Sequence, residues 1–228
     1  MRLRLFYMSL RSDQELPYRP DYLRGYLASA FNEYTLLHQH INHDQLRYRY
    51  PLVQYHILDD AAVVIGINEG ADVLQEIYRD TRTIRFGQKI YQIYEKSITT
   101  EEQDFGLSDK FHLYRFVTPW IALNQQNYPR YLESDRNERA ELLRKTLTSN
   151  LLSASKGLDY HVPDRIKLDI RNLATCQCDL KGIPMIGFTG EFLVNFDIPD
   201  LLGLGKSVSR GFGAVRCIDR AAPNGGPF

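Results

Sequence analysis

With 228 residues, 43% of them hydrophobic and 25% charged, the chain has a globular balance rather than a disordered one, and room for one large or two small domains. Twenty-eight basic residues against twenty-eight acidic ones leave no net charge, which argues against non-specific wrapping of long nucleic acid but permits a local basic patch. Three cysteines, an odd number without a CxxC pair, argue against a disulfide framework and fit a reducing compartment.

Arg2 to Leu10 alternates as a first strand. The surrounding MRLRLFYMSLRSD has a short apolar run broken by Arg4 and no small-residue cleavage site, so it is not a signal peptide. The longest apolar run, Ala61 to Ile65, is too short to span a membrane. A soluble, cytoplasmic protein is expected. Pro17 and Pro20 mark a turn, and Asp21 suits the N-cap of a helix over Tyr22 to Leu37. Its apolar positions, from Leu23 and Leu27 to Tyr34 and Leu37, recur at helical spacing, interrupted by Gly25.

The next stretch packs His38, His40 and His43 into six residues, three of the chain's six histidines, and then alternates Arg47-Tyr48-Arg49-Tyr50 before Pro51. Imidazole can both take and give a proton near neutrality. Arginine and tyrosine beside it suit a phosphate and an unstacked base. The competing reading is a polar loop whose histidines sit well at a helix C-terminus.

Leu46 to Leu58 reads as a strand with an edge or bulge at Pro51, and Ala61 to Ile67 as a buried strand, giving a hairpin around Asp59-Asp60. Glu69 to Arg79 reads as a helix, and Thr81 to Phe86 and Lys89 to Ile98 as strands. The order strand, helix, strand, strand, helix, strand is the split arrangement of a ferredoxin-like fold. After a strand from Phe111 to Val117, the run Thr118-Pro119-Trp120 suggests a seam, dividing the chain into residues 1–117 and 118–228. In the second half, Asp135 to Ser155 reads as a helix with Gly157 as its C-cap. Strands are expected over Ile166 to Leu173, Thr175 to Leu180 and Pro184 to Ile198, and a disordered tail over Ala221 to Phe228. The spacing in Cys176-Gln177-Cys178 is too close for a zinc knuckle, and the pair is read as structural, with thiols on opposite faces. His56 and His112 fall in strand patterns and are read as hydrogen-bonded structural histidines; His161 receives no role.

Near the end stands Leu202-Gly203-Leu204-Gly205-Lys206-Ser207-Val208-Ser209-Arg210-Gly211-Phe212-Gly213. Glycines let backbone amides approach an anion. Gly205-Lys206-Ser207 is not a Walker A motif, because Asp200 occupies the position of its first glycine. A dinucleotide fingerprint fails as well, since Val208 replaces its third glycine. What remains is a glycine-rich basic loop between short strands. Lys206, Arg210, Arg216 and Arg220 against Asp219 make a local positive patch suited to phosphate, the alternative being a tight turn.

Together these stretches resemble the CRISPR-associated repeat-RNA endoribonucleases, the sixth Cas family. The C-terminal pattern is Gly203-x-Gly205 followed by Gly211-Phe212-Gly213. Leu37-His38-Gln39-His40 with Tyr48-Arg49-Tyr50-Pro51-Leu52-Val53-Gln54-Tyr55 is similar to the b-type branch of that family, and so is Thr118-Pro119-Trp120-Ile121-Ala122-Leu123-Asn124. The resemblance implies an α+β chain of two tandem ferredoxin-like, RRM-like domains with antiparallel sheets. It implies cleavage of CRISPR repeat RNA without metal or other cofactor, leaving 5′-hydroxyl and 2′,3′-cyclic phosphate ends. His38 and His40 would be the acid/base pair and Tyr48 a supporting residue. RNA contacts would come from Arg47, Arg49, Gly203, Gly205, Lys206, Ser207, Arg210, Gly211, Phe212 and Gly213. The partner is CRISPR repeat RNA, with other Cas proteins of an effector complex and a second copy of the chain as further partners. The family often has a lysine near its first helix. None lies between Met1 and Phe86, so Arg24, Arg47 or Arg49 would supply that charge.

Two rival readings carry their own tests. His38-x-His40 with His43 or Asp44 offers three ligands for a zinc-dependent hydrolase, which a chelator would stop. A non-catalytic repeat-RNA binder would be indifferent to a 2′-deoxy substitution at the scissile nucleotide.

Overall fold

The computed structural model describes residues 1–38 and 50–219. Its contacts divide the chain into two compact units. Among the described residues, one contains Arg2–Gln103 together with Val208–Gly211, and the other Met1, Asp104–Ser207 and residues 212–219.

The N-terminal unit is built from β1 (Arg2–Ser12), α1 (Pro20–Ala30), α2 (Thr35–His38), β2 (Val53–Leu58), β3 (Ala61–Ile67), α3 (Glu69–Ile77), β4 (Thr83–Phe86) and β5 (Lys89–Asp104). The sheet runs β2-β3-β1-β5-β4. Counted along a split βαββαβ unit, that is second, third, first and fourth strand, with β4 added at the edge. β3 is buried at every position, as its unbroken apolar run requires when strands flank it on both sides. Val64 pairs with Met8 on β1 and with Tyr55 on β2. The β2–β3 turn places Asp59 and Asp60 at φ 47° and 59°, the left-handed pair that the twist of a two-residue hairpin demands. Leu23 and Leu27 of α1, Leu37 of α2 and Leu74 and Ile77 of α3 close one hydrophobic core over the sheet.

The expected helix over Tyr22 to Leu37 is two pieces. The Tyr34 amide donates to the Phe31 carbonyl and the Leu37 amide to that of Tyr34, so three-residue spacing replaces helical bonding between α1 and α2. The apolar period runs through the break because both pieces bury leucines in the same core. Pro20 starts α1, and Asp21 does not cap it but takes a two-pronged ion pair from Arg19 at 3.0 and 2.9 Å.

The C-terminal unit contains β6 (Gly106–Trp120), α4 (Asn127–Glu133), α5 (Arg136–Gly157), β7 (Leu168–Ile170), β8 (Ala174–Leu180), β9 (Ile183–Asp197) and β10 (Val215–Cys217). Its sheet runs β10-β6-β9-β7, again fourth, first, third and second, with β8 hairpinned onto β9. The seam expected at residue 117 lies inside β6, and the units divide at residues 103 and 104. The extra length of β6 escapes a periodic reading because its pairing with β9 shifts register twice, between Leu107 and His112 and between Phe116 and Trp120. Asp135 caps α5 in a full capping box with Glu138, and Leu143, Leu147 and Leu151 form its buried stripe. Gly157 is the last residue of that helix rather than its cap. Cys176 and Cys178 share a face, as residues two apart on a strand must; both thiols approach Gly187, which corrects the opposite-face expectation. No helix among the described residues is long and apolar enough to cross a membrane.

The two units differ in the crossover from third to fourth strand. In the N-terminal unit α3 makes it. In the C-terminal unit it is the glycine-rich segment.

Candidate functional site

The last described residues of α2, Leu37 and His38, have carbonyls that take hydrogen bonds from side chains. Two side chains supply them. The Tyr55 hydroxyl donates to the Leu37 carbonyl at 3.3 Å, and the Arg24 guanidinium donates to the His38 carbonyl at 2.6 Å. The half-buried His38 is therefore tied to α1 through its own backbone. Tyr55 lies in the core, and burial pushes its phenol well above the usual range, so it stays a neutral donor.

A short 3-10 turn, Val208–Arg210, packs against α1 and β2. It brings Arg210 close enough to Arg24 for the two charges to repel. Burial first, and Arg210 second, hold the Arg24 guanidinium below its ordinary pKa. Neither arginine is paired with a carboxylate among the described residues. A neighbouring like charge disfavours a half-buried guanidinium, and a bound anion would relieve that cost.

Gly211 makes the approach possible. Its φ is +84°, and a Cβ there would lie 2.7 Å from Pro20 Cγ and 2.9 Å from the Tyr55 carbonyl oxygen. A side chain would lift the segment off α1 and β2. Beneath it lies His56, fully buried, with neither ring nitrogen in a hydrogen bond of good geometry. Burial drives its pKa down to about 4, and the nearby Gly211 backbone offsets this only slightly. The expectation of a hydrogen-bonded structural histidine is met at His56 only by this weak contact with the Gly211 backbone.

In the C-terminal unit the rest of the glycine-rich segment is held by backbone bonds. The Gly213 amide donates to Pro119 at 2.9 Å, that of Leu204 to Gly213 at 2.9 Å, and that of Lys206 to Ile121 at 3.4 Å. Gly205, at φ +94°, leaves no space for a Cβ against the Trp120 ring. Gly213, at φ +71°, would drive one into the Leu204 carbonyl. Each of these glycines thus has a packing reason of its own. Gly203 and Phe212 are buried, so Phe212 is a core residue rather than a stacking platform. Lys206, Ser207 and Arg210 stay partly exposed.

Of the residues singled out in the sequence, His38, Arg210 and Gly211 lie in the N-terminal unit, where Arg24 bonds the His38 carbonyl and senses the Arg210 charge. Gly203, Gly205, Lys206, Ser207, Phe212 and Gly213 belong to the C-terminal unit. His40, Arg47, Tyr48 and Arg49 lie outside the described residues, as do His43 and Asp44 of the alternative metal set. Arg24 was one of three possible cations in the sequence; its contact with the helix end that carries His38 distinguishes it.

Comparison with known proteins identifies the family of the chain. The model of the Cas6b N-terminal domain matches residues 1–104, and that of the Cas6b C-terminal domain matches residues 106–218. A crystal structure of Cas6b, 34% identical, is matched over 96% of this chain and 100% of that one with a TM-score of 0.86. A second, of the CRISPR RNA processing endoribonuclease Cas6b, is matched at 34% identity over 96% and 100% of the two chains with a TM-score of 0.75. An uncharacterised protein of Methanocaldococcus jannaschii is 41% identical over 140 residues, 61% of this chain and 95% of that protein. With both domain models matched in order along nearly its whole length, the chain belongs to the Cas6b family.

Proposed function

We propose that this protein is an endoribonuclease that cleaves CRISPR repeat RNA by internal attack of a ribose 2′-hydroxyl. The observation that supports the reading is Arg24, which donates to the His38 carbonyl and has Arg210 as a neighbouring like charge, neither arginine having a carboxylate partner among the described residues. RNA brings its own nucleophile. An imidazole takes the 2′-hydroxyl proton, the oxygen attacks the adjacent phosphorus, and a second proton carrier protonates the departing 5′-oxygen. The products are a 2′,3′-cyclic phosphate and a 5′-hydroxyl. His38 and His40 are the proton carriers, and Tyr48 supports them. The two arginines take the place of the family's lysine and face the charge that builds on the crowded phosphorane. Lys206 and Ser207 hold RNA phosphates, and Arg47 and Arg49 add further phosphate contacts. No step calls for a metal.

The reading is tested with end-labelled repeat RNA in EDTA, at a temperature where the chelated protein is folded. Cleavage should persist, with cyclic-phosphate ends, and a 2′-deoxy nucleotide at the cut should block it. His38→Ala should slow cleavage by about 10²–10⁴-fold with RNA affinity retained. Cleavage of the 2′-deoxy substrate, or full rescue by added metal after chelation, would overturn it.

A further inference from the structure

The C-terminal unit gathers a second set of chemistry-bearing side chains that the cleavage reaction does not use. His112 on β6 and Cys217 and Asp219 at the end of β10 place an imidazole nitrogen, a thiol sulfur and a carboxylate oxygen all within 4.8 Å of one another. The pairing of Cys217 with Tyr114 across β10 and β6 sets the spacing. The Ile218 amide donates to the Leu113 carbonyl at 2.8 Å, so the turn after β10 is pinned against β6.

We propose that His112, Cys217 and Asp219 form a binding site for a zinc-type divalent cation, with water completing the tetrahedron. Three features of the cluster favour an ion over a chance meeting of side chains. The first is the orientation of the imidazole. His112 Nε2 lies 3.3 Å from Asp197 Oδ1 and 3.4 Å from Ser108 Oγ, while Nδ1 turns toward Asp219 Oδ1 at 3.9 Å. A proton held on Nε2 by Asp197 leaves the Nδ1 lone pair facing the other two ligands, the carboxylate–histidine–metal relay of tuned zinc sites. The second is the split use of Asp219. Its Oδ2 accepts from the Leu113 amide at 3.0 Å, which fixes the carboxylate, and its Oδ1 accepts from the Cys217 thiol at 2.9 Å. The hydrogen bond on Oδ1 is the one that metal replaces, with the thiol proton released to solvent. The third is charge. A thiolate and a carboxylate neutralise a divalent ion, and a sulfur–nitrogen–oxygen set selects zinc over calcium or magnesium.

Tetrahedral zinc with ordinary bond lengths sets its ligands roughly 3.3–3.7 Å apart. The side chains here reach that spacing by shifts of about an ångström. Bound there, the ion joins the turn after β10 to β6 and secures the strand that follows the glycine-rich segment. Its role is to hold the fold; it carries no step of RNA cleavage.

The test uses the full chain, purified, loaded with zinc sulfate, dialysed against metal-free buffer and analysed for metal. About one zinc per chain should remain, with an unfolding temperature above that of the chelated protein. Replacing zinc by cobalt(II) should give a thiolate-to-cobalt charge-transfer band and the visible bands of a tetrahedral ion. Cys217→Ser should abolish the charge-transfer band, and His112→Gln and Asp219→Asn should lose stoichiometric zinc. Asp197→Asn should weaken binding by about 10–100-fold. No retained zinc and no thiolate band in the wild-type chain would overturn the proposal, and so would zinc binding unchanged in Cys217→Ser. The cobalt spectrum of the wild-type chain decides the matter even where a variant fails to fold.

Discussion

Both units lay their four main strands in the same spatial order, yet they return from third to fourth strand by different means. In the N-terminal unit the return is α3, whose bonds are internal and whose Ala71, Leu74 and Ile77 face the sheet. Gly66 and Gly70 let it lie close, since a Cβ on Gly66 would meet the Gly70 carbonyl and one on Gly70 the Leu52 carbonyl. In the C-terminal unit the return has no α-helix. Its amides bond to Pro119 and Ile121 at the end of β6 instead. A helical crossover spends its backbone on itself and offers a ligand only side chains. A loop crossover keeps a Lys, a Ser and an Arg partly exposed, and four of its residues, Val208–Gly211, count with the N-terminal unit.

The contrast predicts how each crossover breaks. Leu74→Ala should cost about 2–5 kcal/mol by cavity formation in the N-terminal core. Gly213→Val should cost about as much through left-handed strain and overlap with the Leu204 carbonyl, with no cavity involved. Denaturant midpoints of both variants check this, and a Gly213→Val chain as stable as wild type would show that the loop is not held as described.

Acid provides the next lever. His56 is neutral in the fold with a pKa of about 4, against 6.5 in an unfolded chain. Above 6.5 neither state is protonated and its contribution is whole. As pH falls from 6.5 to about 4 the unfolded state takes a proton that the folded state refuses, so stability falls by about 3 kcal/mol at most. Urea titrations across that window should show the decline, and His56→Phe should flatten it.

A smaller effect separates positioning from packing within the loop. Lys206→Ala and Arg210→Ala should each lower the salt dependence of RNA binding by about one unit of slope and barely move the unfolding midpoint. An unchanged slope would remove that side chain from the list of phosphate contacts. Gly25 is the counter-case. A Cβ there meets nothing within 4 Å, and its backbone is helical, so Gly25→Ala should stabilise α1 by about 0.5–1 kcal/mol. A thermal shift of a few degrees upward would check it.

The N-terminal topology was legible because each element announces itself by period: alternation in β1, an apolar run in β3, helical spacing in α3. The break between α1 and α2 was not, since Tyr34 and Leu37 stay in phase with Leu23 and Leu27. β6 was underestimated because its bulges interrupt alternation. Residue type and spacing singled out the histidine cluster and the glycine-rich loop, and the resemblance supplied the roles expected of His38 and His40. Arg24 needed coordinates, because only tertiary packing brings α1 to the end of α2 and Arg210 to α1. His112 and Cys217 gave no signal for the same reason: their meeting depends on β6 and β10 becoming neighbours.

The loop crossover leaves little latitude for change. Leu201, Leu202, Leu204, Phe212 and Ala214 do the filling that a helix would otherwise do, and Gly205 and Gly213 have no room for a side chain. Retuning the proposed phosphate contacts leaves three letters to rewrite, Lys206, Ser207 and Arg210, within a word whose other letters are already spoken for.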